Sequence, residues 1–139
     1  MRKFLIICLS LLFISNTSFS QDSDERWEYI GQDGQKAKYY RDVFNLFVKE
    51  DVFGVKQVWI KVVQPKYSMK RGNKTYTYYN VVSKHLYEIK CGSQEMRLKQ
   101  YADYTAEGKL IVSNELFESF EKAVPESMGE FIMSKFCLR

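Results

Sequence analysis

The sequence predicts an α+β domain, a twisted antiparallel sheet of about six strands in meander order with one C-terminal helix tethered to it by a disulfide. Three observations point there. Short β-branched and aromatic runs follow one another from Trp27 to Ser113, separated by turn residues, with no helical period between them. The helical period comes only at the end, where Met128, Phe131, Ile132 and Phe136 recur on one side of a segment. At the close of that segment stands Cys137, and the other cysteine downstream of residue 20 is Cys91, which ends the run Tyr87-Glu88-Ile89-Lys90-Cys91.

The N-terminus reads as a signal peptide over residues 1–20. Met1-Arg2-Lys3 is a positive start, Phe4 to Ile14 is apolar, and the small residues Ser18 and Ser20 suit cleavage after Ser20. The apolar run is about eleven residues, against the roughly 20 that a spanning helix needs, and no later stretch is long enough either. Cys8 lies inside the apolar run and not at its end, which argues against lipid attachment there. The expectation is an exported protein with a single domain over residues 21–139, placed in the periplasm, the cell envelope or the medium. Loss of Arg2 and Lys3 lowers the basic residues from 21 to 19 against 17 acidic ones, and the net charge from +4 to +2. That balance gives no reason to expect a nucleic-acid partner. In an oxidising compartment the two remaining cysteines most economically pair, and closing a loop of about 46 residues contributes roughly 4 kcal/mol in the chain-entropy account.

The elements follow in order. Trp27 to Ile30 alternates weakly as a strand, and Gly31-Gln32-Asp33-Gly34 reads as a turn. Lys38 to Asp42 resumes the strand pattern. Val43 to Val48 is ambiguous between strand and helical turn, and its composition favours strand. Lys56 to Gln64 is the clearest strand, with Val58, Ile60 and Val62 on one face and Trp59, Lys61 and Val63 on the other; Pro65 is expected to end it. Lys66 to Lys74 reads as a basic loop turning at Gly72. Tyr76 to Cys91 carries strong strand formers. Gly92-Ser93 turns the chain into Glu95 to Tyr101, with Met96 and Leu98 inward, and Ala106-Glu107-Gly108 turns it into Lys109 to Ser113. Pro125 suits a helix start, and Glu126 and Glu130 suit the positive end of its dipole.

Several of these landmarks together resemble the bacterial surface-adhesin protein E family. They are Tyr40 and Asp42, Val58-Trp59, Tyr87 to Cys91, Arg97-Leu98, Tyr104 through Gly108 to Val112-Ser113, Val124 to Ser127, and Cys137. The cysteine pair with the Pro-x-Ser helix start before its second member is the specific part. The resemblance covers nearly all of residues 21–139. It implies a twisted antiparallel sheet with a disulfide-tethered C-terminal helix, a cell-envelope location, and binding to host extracellular-matrix or serum proteins.

Candidate sites are few. Lys66, Lys70, Arg71 and Lys74, flanked by Tyr67 and Tyr76, could hold an acidic protein segment or a sulfated glycan; a solvated hairpin that keeps a sheet edge soluble is the simpler reading. His85 is the sole histidine and lacks a neighbouring nucleophile or second ligand, so a structural role is expected. The carboxylates at Asp22 to Glu28, Glu50-Asp51 and Glu115 to Glu121 read as solvated charge. No phosphate loop, CxxC pair or nucleophile elbow occurs, and no catalytic, metal or cofactor site is expected.

The expected function is a non-enzymatic exported binding module. The alternative is a periplasmic or envelope housekeeping protein with a structural or assembly role. A homodimer through an open sheet edge is compatible with either. A third reading has a groove between sheet and helix, lined by Trp59 and Phe131, that takes a small apolar ligand or haem.

Overall fold

The computed structural model describes residues 24–45 and 51–137. The leader expected over residues 1–20 and the second half of the Val43–Val48 run lie outside them. Seven strands form one antiparallel sheet: β1 (Trp27–Gln32), β2 (Lys38–Asp42), β3 (Val55–Arg71), β4 (Lys74–Lys90), β5 (Glu95–Tyr104), β6 (Leu110–Glu115) and the short β7 (Glu121–Lys122). Strands β1 to β6 are neighbours in chain order, the expected meander, while β7 shares the outer edge of β5 with β6. One helix, α1 (Met128–Phe136), follows.

Alternation decides the two faces. Val58, Ile60 and Val62 of β3 are buried with Ala37 and Ile89 beneath Ile132 and Met133 of α1, and this is the core. Two glycines set how closely helix and sheet approach. A methyl group on Gly31 would stand 2.7 Å from the Phe131 ring, and one on Gly129 would stand 3.1 Å from Met96 Sδ. Beyond α1 the Cys91–Cys137 disulfide ties the helix end to the end of β4, with 5.4 Å between the Cα atoms. On the opposite face Lys61 Nζ lies 5.1 Å from the Trp27 ring centroid and 5.0 Å from that of Tyr40. Lys84 Nζ lies 5.8 Å from Trp27 and 5.7 Å from Tyr104.

Four boundaries differ from the sequence expectation. The run after β2 is a 3-10 turn over Val43–Asn45, not a strand, because an Asp42 carboxylate oxygen accepts the Phe44 N–H at 3.1 Å and bends the chain. Gly31 belongs to β1, and the turn falls at Asp33, whose Oδ1 accepts the Gln35 and Ala37 N–H groups at 2.9 Å each. The helix starts at Met128 with Ser127 as its cap, three residues after Pro125, and the Ser127 hydroxyl accepts the Glu130 N–H at 3.3 Å. The largest difference lies at Pro65, which β3 runs straight through. Strand β2 pairs β3 only as far as Val63, so the missing N–H of Pro65 costs the sheet nothing on that side.

Candidate functional site

The expected basic loop is a two-stranded ribbon. Strands β3 and β4 pair with each other from Lys66↔Tyr79 to Arg71↔Lys74, past the last pairs either makes with β2 or β5. Gly72, with φ of 58°, supplies the first residue of the two-residue turn, a conformation that a glycine adopts without strain. Asn80 has φ of 52° and stands opposite Pro65 in the register, so the ladder is irregular where the ribbon leaves the sheet. One side chain ties the ribbon to the β5–β6 hairpin: Arg71 Nη2 donates to the Ile111 carbonyl at 2.9 Å.

Alternation along the ribbon divides the four basic candidates. Lys66 and Lys70 share one face with Ser68, Thr75, Thr77 and Tyr79, and every one of these is exposed. Arg71 and Lys74 fall on the other face with Tyr67, Met69 and Tyr78, which are half-buried. Burial pushes the Tyr67 hydroxyl above its ordinary pKa, and the Asp103 carboxylate beside it adds to this. On the exposed face Ser68 Oγ and Thr77 Oγ1 lie 3.0 Å apart. The two lysines stand four residues apart, a spacing of about 13 Å along a strand.

His85 belongs to a different cluster, on the face that α1 covers only in part. Its Nδ1 is 3.4 Å from the Tyr87 hydroxyl, and its ring meets the rings of Tyr87 and Tyr101 edge to face. Burial lowers the His85 pKa against the opposing pull of Asp103, which favours the neutral imidazole. Tyr87 is pushed up to about 12 by burial and by the charge of Glu118. Tyr39 is likewise pushed up to about 12 by burial and by Asp33, whose Oδ2 accepts its hydroxyl at 3.1 Å. These groups open onto a groove of about 770 Å³ between the sheet, the start of α1 and residues 118–124.

A groove therefore exists beside the helix, but Trp59 does not line it. Trp59 pairs with Leu86 on the opposite face, and Phe131 packs instead on Gly31. The strand pattern already placed Trp59 away from Val58 and Ile60; what it lacked was the position of the helix. Tyr39 and Tyr87, which do line the groove, were legible only as members of two strand runs, Lys38 to Asp42 and Tyr76 to Cys91.

Among the described residues no three His, Cys, Asp or Glu side chains gather as metal ligands, and no helix is long and apolar enough to cross a membrane. The profile of a family described as surface-adhesin protein E matches residues 27–138. The chain belongs to that family. No curated protein and no solved structure matches it significantly. Membership carries a surface-adhesin type of binding role and an exported location for this surface-adhesin E domain, and the match takes in both strands of the ribbon, the groove and the disulfide.

Proposed function

We propose that the protein is an exported, non-catalytic binding module whose recognition element is the outward face of the β3–β4 ribbon. The observation that carries this reading is the composition of that face. Lys66 and Lys70 stand exposed beside three hydroxyl-bearing side chains and Tyr79, which is 65% exposed. Lysines at that spacing suit a chain of anionic groups, and the hydroxyls and tyrosine supply hydrogen bonds and flat contact area. The partner is an extracellular host protein with an acidic surface or a sulfated glycan. Arg71 serves the ribbon itself by pinning it to β6.

Two experiments test this. Lys66→Glu with Lys70→Glu should abolish retention on a heparin column and binding to immobilised matrix proteins, while unfolding stability stays within about 0.5 kcal/mol of the parent. Unchanged retention and binding in the double variant would remove the ribbon from recognition. Protease shaving of intact cells should remove the protein; survival until the cells are permeabilised would favour the periplasmic housekeeping alternative.

A further inference from the structure

The groove beside α1 is chemically unlike the ribbon. Its floor is apolar, formed by Val62, Leu98 and Met128, and one end is lined by the Tyr39 and Tyr87 phenols. The acidic groups nearest those phenols are Asp33 and Glu118. Asp33 accepts the Tyr39 hydroxyl at 3.1 Å and Glu118 acts on Tyr87, while burial lowers the His85 pKa and so favours its neutral form. The lining also holds a third carboxylate, Glu121, and two basic residues, Arg97 and Lys122. Arg97 donates from Nε to Glu88 at 2.6 Å and from Nη1 to the Glu118 carbonyl at 3.2 Å, and Lys122 stands opposite Glu95 at the β7 end.

We infer that this groove binds a small amphipathic organic cation, its apolar body on the Val62–Leu98–Met128 floor and its ammonium group between Asp33 and Glu118 against the faces of Tyr39 and Tyr87. Aromatic faces and carboxylates together favour a cation, because ring quadrupole and formal charge act in the same direction. A cavity of about 770 Å³ is within the size range of small-molecule sites. An anionic ligand would meet three lining carboxylates, Asp33, Glu118 and Glu121, and of the two lining cations Arg97 is already paired with Glu88. The Asp33 carboxylate is also pre-positioned, since its Oδ1 is held by two backbone N–H groups and its Oδ2 accepts one hydrogen bond. The inference is independent of the ribbon reading, with which it shares no residue.

The test uses the whole exported protein and three probes of matched length, n-octylammonium, n-octanoate and n-octanol, each well below its aggregation concentration. Octylammonium should bind saturably in calorimetry and shift amide resonances around Tyr39, Tyr87 and Leu98. Octanoate should bind about tenfold or more weakly. Glu118→Gln, at an exposed side chain, should weaken octylammonium about tenfold while leaving octanol unchanged and thermal unfolding intact. Tyr87→Phe should weaken it less, because the ring face remains. Equal binding of octylammonium and octanoate, or no saturable binding of octylammonium, would overturn the inference, as would resonance shifts confined to the ribbon.

Discussion

Individual charges on this domain report their surroundings through pH. Glu88 is 6% exposed and accepts from Arg97 Nε at 2.6 Å, Gln57 Nε2 at 2.9 Å and Lys99 Nζ at 3.2 Å. Burial alone would raise its pKa, but the three donors outweigh burial and hold the carboxyl below its ordinary 4.5. Its contribution is therefore complete above pH 4.5 and is lost as the pH falls through the lower folded value. His85 acts earlier. Because its folded pKa lies below 6.5, the unfolded chain takes up a proton first, and stability falls as the pH drops below 6.5. Replacing His85 with Gln should flatten the stability profile just below pH 6.5 and leave the loss below pH 4.5, as read by urea unfolding at each pH. Glu88→Ala should cost about 2 kcal/mol at pH 7, since it strands two cations, Arg97 and Lys99, that are only partly exposed. None of these partnerships was legible beforehand. Alternation put Glu88 and Arg97 on strands, but only the register, Glu88↔Arg97, made them neighbours.

At the scale of elements, the sequence disclosed what alternation and helical period encode and missed what pairing decides. The meander, the inward set of β3, the apolar side of α1 and the Cys91–Cys137 tether all follow from residue pattern. Pro65 was misread because a proline ends a strand only if its N–H is needed, and that depends on whether a neighbour lies alongside. The 3-10 turn after Asp42 was missed because one side-chain acceptor outweighed the strand propensity of Val43 and Phe44. The tie between helix and sheet yields two predictions. Gly31→Ala drives a methyl group into the Phe131 ring, and should cost about 1–3 kcal/mol, measured by chemical unfolding. Cys91→Ser with Cys137→Ser should cost up to about 4 kcal/mol and free α1 first, seen as loss of protection in the amides of Met133 and Phe136.

Taken whole, the molecule has a rigid centre and a ribbon that shares little of it. The fully buried side chains, among them Ile60, Val81, Ile89 and Ile132, lie on the central strands and the helix, and none comes from residues 66–79. The ribbon's backbone pairs only with itself, and two-stranded ribbons are marginal without a packed face. Its attachments are Arg71 to the Ile111 carbonyl and the half-buried Tyr67 beside Asp103 of β5. Sub-global opening of the ribbon should therefore precede global unfolding. In native-state hydrogen exchange, the paired amides of residues 66–71 and 74–79 should exchange at least tenfold faster than those of residues 58–62 and 83–89. Removing the disulfide should lower protection in the second group and leave the first unchanged, because ribbon opening does not pass through the helix. Arg71→Ala should do the reverse, speeding exchange in the ribbon without moving the centre. Equal protection in both groups would mean that the ribbon opens only with the core. A ribbon that opens separately can adjust its outward lysines to a partner's surface, whereas the groove beside α1, built on the central strands, must accept its ligand as it stands.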